Sequence, residues 1–172
     1  MAYNWLPPLI ARNGNEEDQA YLDRLYDVFR RDFIAQKQVF DGLPINIKRH
    51  PEYDGLFANK HGTFRHLITE GPNENNRTIA WDRCERIGWM RAILQNSRSD
   101  DVCIWKNTRQ TNGDAFILAL SDFSFKLVLT ERHIKAENRS FLLLWTAFPV
   151  QRQRQRDKLR REYEKYHAPP KS

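Results

Sequence analysis

Cysteine is scarce in this chain: Cys84 and Cys103 are the only two, and they form no close pair. Two reduced thiols of a cytoplasmic protein are the simplest reading, with a single disulfide as the alternative. Long apolar runs are lacking as well. No window approaches the ~18 continuous apolar residues of a membrane helix, and no basic stretch followed by an apolar core stands at the N-terminus. These absences argue against secretion, membrane spanning and a membrane partner. Metal-ligand spacing is also missing. His61 and His66 lie five apart, off the i,i+4 face of a zinc-binding helix, and no third ligand arrives at a recognised spacing. Neither a metal nor another cofactor is expected. No internal repeat or extended low-complexity segment is visible.

What is present is a chain of 172 residues, 40% hydrophobic and 12% aromatic, which fits one folded domain with a real core. The formal charge is +6, and it is unevenly spread. From Gln151 to Ser172 there are eight Lys/Arg against three Asp/Glu, so most of the excess lies in the last 22 residues. Such a field attracts RNA, DNA or an acidic protein. A solvated helix face kept for solubility has the same composition.

Periodicity gives a coarse plan. Residues 16–35 read as a helix, with Leu22, Leu25, Tyr26, Phe29 and Phe33 at helical spacing and Asn15 at its start. Residues 36–60 read as loops around one short strand at Pro44-Ile45-Asn46-Ile47. A short helix is expected over 61–69, stopped by Gly71-Pro72, and Asn73-Glu74-Asn75-Asn76 reads as a solvated turn. A helix or helical pair follows at about 78–96. Beyond Ser97 the period changes to that of strands, at 102–107, 115–120, 125–130 and 141–146, with turn residues between them. The close spacing calls for an antiparallel meander. Pro149 is placed to open a basic C-terminal helix, in which Gln155, Leu159, Tyr163 and Tyr166 form a partly apolar seam. The expected fold class is α+β: N-terminal helices, then a four-stranded antiparallel sheet, then the basic helix. Residues 1–166 make one domain, and 167–172 a flexible tail.

Several residues are equipped for chemistry at a phosphodiester. His66 sits between the apolar face of its helix and solvent, where an oriented imidazole can move a proton near neutrality. His61 is a second candidate, and a helix-start histidine is its plainer reading. Arg83, Arg86 and Arg91 offer guanidinium forks that match phosphate oxygens; an ion-pair network with Glu85 accounts for them equally well. On the strand 102–107, Lys106 ends an apolar face shared with Val102 and Ile104. It is either a phosphate contact or the guard of a strand edge. Arg109 follows in the turn, and Arg132 stands at the exit of the third strand. Thr146, after Trp145 at the end of the last strand, can hydrogen-bond a phosphate or simply cap the turn, and without an activating neighbour it is no nucleophile. Arg152, Arg156 and Arg160 are basic positions of the terminal helix.

The order of these parts resembles the barnase–EndoU–colicin E5/D–RelE superfamily of ribonucleases, and in particular its phage- and bacteria-associated branch. The resemblance rests on a histidine in the helical N-terminal half, a basic residue on the first strand and a hydroxyl on the last. Its most specific piece is Leu143-Leu144-Trp145-Thr146-Ala147-Phe148-Pro149-Val150, similar to the Thr-Ala-Tyr/Phe-Pro ending of such toxin domains. Thr63-Phe64-Arg65-His66-Leu67-Ile68-Thr69-Glu70-Gly71 and Arg83-Cys84-Glu85-Arg86-Ile87 are similar to motifs of the same branch. The likeness covers roughly 45–166. It implies a metal-independent endoribonuclease, often a toxin acting on tRNA or translation-associated RNA, with an acidic antitoxin or immunity protein as partner. Carried over residue by residue, His66, Lys106 and Thr146 take the catalytic positions, with Arg132, Arg83, Arg86 and Arg109 as further basic groups.

The expected reaction is 2′-hydroxyl transesterification, leaving a 2′,3′-cyclic phosphate and a 5′-hydroxyl. A non-catalytic nucleic-acid-binding module is the first alternative. A structural or interaction protein that docks an acidic partner is the second.

Overall fold

The computed structural model describes residues 3–49, 53–108 and 113–170. The first helix, α1 (Asp18–Phe29), buries Tyr21, Leu22, Leu25 and Phe29 one turn apart. It continues as a π-helical turn over Arg30–Ala35. The wider turn sends Asp32 and Phe33 inward side by side, so the single helix expected over 16–35 ends in a different winding.

The segment expected to be mostly loop holds two strands, β1 (Val39–Phe40) and β2 (Leu43–Asn46). They turn at Asp41-Gly42, both at positive φ (50° and 74°), the conformation that matches the twist of a two-residue hairpin. Next come α2 (Gly62–Ile68) and the short antiparallel pair β3 (Thr69–Glu70) and β4 (Thr78–Ile79). Of the helix or helical pair expected over about 78–96, the pair is found: α3 (Trp81–Cys84) and α4 (Trp89–Gln95). The break at Glu85–Gly88 leaves Ile87 buried between them.

The remaining strands are β5 (Val102–Asn107), β6 (Ala115–Leu120), β7 (Phe125–Ile134) and β8 (Arg139–Pro149), followed by α5 (Gln153–His167). All four pair antiparallel in sequence order. They do not form a four-stranded sheet. β2 adds to β8 in parallel, so the sheet has six strands in the order β1-β2-β8-β7-β6-β5. It curls until Phe40 of β1 meets Phe116 of β6, ring centroids 5.3 Å apart. The fold is therefore mixed α+β with a six-stranded curled sheet and a small second one. The short strand expected at 44–47 is β2, and the expectation of four strands failed because β1 is too short to show a period of two and nothing local marks the pairing of β2 with β8.

Pro149 closes β8 opposite Phe125 instead of opening α5, whose N-cap is Arg152. A strand end tolerates its missing N–H as well as a first helical turn does. Thr146 accordingly lies inside the strand and not at its exit. Between Val128 and Leu129 the β7–β8 register slips: Val128 faces Thr146 and Leu129 faces Leu144, leaving Trp145 as the extra residue of a bulge.

Two apolar clusters sandwich the sheet. One face carries Leu118, Leu127, Leu129, Leu142 and Leu144 against α1, α2 and α4. The other carries Trp105, Ala115, Ile117 and Val128 under Leu159 of α5. Of the seam expected on α5, Leu159 is buried and Tyr163 half-buried, while Gln155 and Tyr166 are exposed. His167 belongs to α5, and its Nε2 donates to the Ile104 carbonyl at 2.8 Å. Among the described residues no helix is long and apolar enough to cross a membrane.

Candidate functional site

The parallel pairing of β2 with β8 spans only Ile45↔Leu142 and Asn46↔Leu143. Beyond it the chain leaves the sheet and is tied to the start of α2. The Lys48 N–H donates to Thr63 Oγ1 at 2.7 Å, and the Thr63 N–H donates back to the Lys48 carbonyl at 3.3 Å. The gap between this exit, α2 and β8 is a cleft of about 480 Å³, lined by Lys48, Tyr53, Thr63, Arg65, His66, Glu74, Leu144 and Trp145 among others.

His66 is the titratable centre of the cleft. Its ring lies 5.4 Å from the Trp145 ring, and its Nδ1 is 3.3 Å from Glu74 Oε1. Burial, then the charge of Arg77, pushes its pKa below the ordinary histidine value, and Glu74 opposes the shift. That shift favours the neutral imidazole, the form able to accept a proton. Lys48 places its ammonium 4.9 Å from the centre of the Trp145 ring.

Arginines surround the end of α2 because a seven-residue helix leaves its last carbonyls without partners. Arg77 donates to the carbonyls of His66 (3.1 Å) and Thr69 (2.5 Å) and to Thr69 Oγ1 (2.8 Å). Arg83 donates to the Thr69 carbonyl at 2.9 Å and to Glu70 at 3.0 Å, with its guanidinium 4.9 Å from the Phe148 ring. Arg65 lies over the Tyr53 ring at 4.6 Å and donates to Glu74 Oε2 at 3.0 Å and to the Glu74 carbonyl at 2.9 Å.

Of the residues singled out in the sequence, the structure brings His66 into this cleft and Arg83 to its border through Thr69. It keeps the others apart. Lys106, Phe116, Leu129 and Leu144 form one row across four strands, so three strand spacings, roughly 14 Å, separate Lys106 from the cleft wall. Its ammonium sits 3.0 Å from Glu131 and 3.2 Å from Asp114, and the Glu131 hydrogen bond leads in raising its pKa. Lys106 is the guard of a strand edge. Thr146 faces Val128 behind the bulge and does not line the cleft. Arg132 lies farther along β7, opposite Phe141.

His61 accepts or donates a 2.6 Å hydrogen bond with the Tyr26 hydroxyl at the N-cap of α2, away from the cleft lining. Arg86 donates to the Asp82 carbonyl at 2.7 Å and covers Trp89. Arg91 pairs at 3.3 Å with the buried Asp32, which Arg31 also holds. Arg109 lies outside the described residues. Arg152 and Arg160 are exposed on α5 and Arg156 donates to the Val150 carbonyl at 2.7 Å, all beside the sheet face opposite α2.

Sequence reasoning missed Lys48, Tyr53, Glu74 and Arg77, and it left Trp145 without a role. Glu74 was hidden in an Asn-rich turn that reads as solvent-facing. The available signal was Gly71, where a Cβ would stand 1.9 Å from the Asn76 carbonyl oxygen; a turn that tight folds its acid back onto the preceding helix.

Comparison with known proteins adds nothing to this geometry: no family model, no curated protein and no solved structure matches the chain.

Proposed function

We propose that the protein binds single-stranded RNA in the cleft and cleaves it without a metal, with His66 as the general base. The observation that carries this reading is a half-buried imidazole in a cleft lined also by the Trp145 ring, Lys48 and Arg65, with burial and the charge of Arg77 lowering its pKa. Aromatic faces take unstacked bases and cations take the backbone between them. In the reaction the 2′-hydroxyl proton passes to His66, and the 2′-oxygen bonds to phosphorus. The bond to the 5′-oxygen breaks, that oxygen takes a proton from water, and the hydroxide left takes the proton held by His66, which restores the base. Lys48 and Arg65 offset the charge gathering on phosphorus. Lys106, Thr146 and Arg132 have no part in this chemistry. The exposed arginines of α5 add salt-dependent attraction over the second face. The resemblance to the ribonuclease superfamily adds tRNA or translation-associated RNA as the target class, with growth arrest on expression as the cellular readout.

Cutting of an oligoribonucleotide in EDTA, with cyclic-phosphate ends and loss of activity in His66→Ala, is the expected result. Equal cutting of the 2′-deoxy strand sinks the mechanism.

A second reading, RNA binding without cleavage, is favoured by a separate observation. Arg65, Arg77 and Arg83 all donate to oxygens of the protein itself, which suits a rigid binding wall. It predicts salt-sensitive binding and no product under any condition.

A further inference from the structure

We propose that the Glu74 carboxylate occupies a phosphate subsite of the cleft, formed by Arg65, His66 and Arg77, and that a phosphate of the bound strand displaces it. This rests on the reading of the cleft as an RNA site. Three groups able to carry positive charge converge on this one acid: Arg65 at 3.0 Å, His66 at 3.3 Å and Arg77 at 4.0 Å. The acid is the weakly held member of the group. Its side chain is 62% exposed, against 14% for Arg65 and 8% for Arg77.

The cradle does not depend on it. Arg77 is fixed by Thr69 and the His66 carbonyl, and Arg65 lies against the Tyr53 and Phe57 rings. Arg65 also donates to the Glu74 carbonyl, and none of these contacts uses the carboxylate. A phosphate brings more acceptor oxygens to such forks than a carboxylate does. The turn itself aims Glu74 at the cradle. Gly71 admits no side chain beside Asn76, and Asn73 Oδ1 accepts from the Asn75 and Asn76 N–H groups at 3.1 Å each. Glu74 is thus an internal competitor that a polyanion must outbid, and it sets a threshold on binding.

The test is titration calorimetry at low salt with a 2′-O-methyl RNA hexamer, which cannot be cleaved, and with inorganic phosphate. Glu74→Gln should bind the hexamer about tenfold tighter than wild type, and adding Arg65→Gln should abolish that gain. Glu70→Gln, which removes an equally exposed acid paired with Arg83, should gain less than threefold. Unchanged or weaker hexamer binding by Glu74→Gln overturns the proposal, as does an equal gain from Glu70→Gln. A gain on inorganic phosphate without one on the hexamer also overturns it, because the subsite would then lie off the strand's path. A gain on the hexamer supports the subsite even if wild type cuts no RNA, so this result and the cleavage reading fail separately.

Discussion

The His66 and Trp145 rings lie 5.4 Å apart at 48°, one from α2 and the other from the bulge of β8. Helix and strand meet there on the stretch of β8 just past its two pairs with β2. Trp145→Ala should weaken binding of a single-stranded RNA hexamer by roughly 1–3 kcal/mol, the contribution of one aromatic platform. Fluorescence anisotropy measures this directly, and unchanged affinity removes Trp145 from the site.

The pH dependence has a definite sign. Burial lowers the pKa of both His66 and His61 in the folded protein, so the unfolded chain binds more protons between the depressed values and the ordinary one near 6.5. Their contribution to stability is complete above that ordinary value and is lost as the pH falls through the folded values. The urea midpoint should be lower at pH 5 than at pH 7.5. An NMR titration should place the His66 midpoint below 6.5 and, since Glu74 raises it, lower still in Glu74→Gln.

Gly71→Ala puts a methyl group 1.9 Å from the Asn76 oxygen and 2.9 Å from the Arg77 Cα. The backbone of the turn has to open, at a cost of about 2 kcal/mol or more. Because the same turn carries Glu74, this variant should also shift the His66 titration, which a purely local loss of stability leaves untouched.

Lys106→Met should leave RNA affinity within about twofold of wild type. Its partly exposed ion pairs with Glu131 and Asp114 contribute little, about 1 kcal/mol at most. A large loss of binding or cutting returns Lys106 to the site and contradicts the two strands that separate it from the cleft wall.

The meander was legible in the sequence because β5 to β7 are short apolar or alternating runs separated by polar turns. The β1–β2 hairpin carried its signal in Asp41-Gly42 alone, with too few residues on either side to show a period. The parallel pairing of β2 with β8 had no local signature, since it joins segments nearly a hundred positions apart by only two pairs. His66 was recognisable by type. Its partners were not, because Lys48, Glu74 and Trp145 converge on it only through the exit of β2, the Gly71 turn and a bulge, three irregularities that periodicity does not report. For Arg91 the sequence left a phosphate contact and an ion pair open, and the structure pairs it with Asp32, which the π-turn buries.

The bulge at Trp145 is a phase slip. Ahead of it Leu142 and Leu144 point to the helices; after it Ala147 does, an odd step that a regular strand cannot make. Removing the single residue Trp145 would join Leu144, paired with Leu129, directly to Thr146, paired with Val128, and the two halves of β8 would come into one phase. Loss of one residue inside a central strand ordinarily turns half of its side chains to the wrong face. Here the deletion should leave the ladder in phase and take the cleft's wall away, at the cost of the contact Trp145 makes with the Trp105–Leu159 cluster.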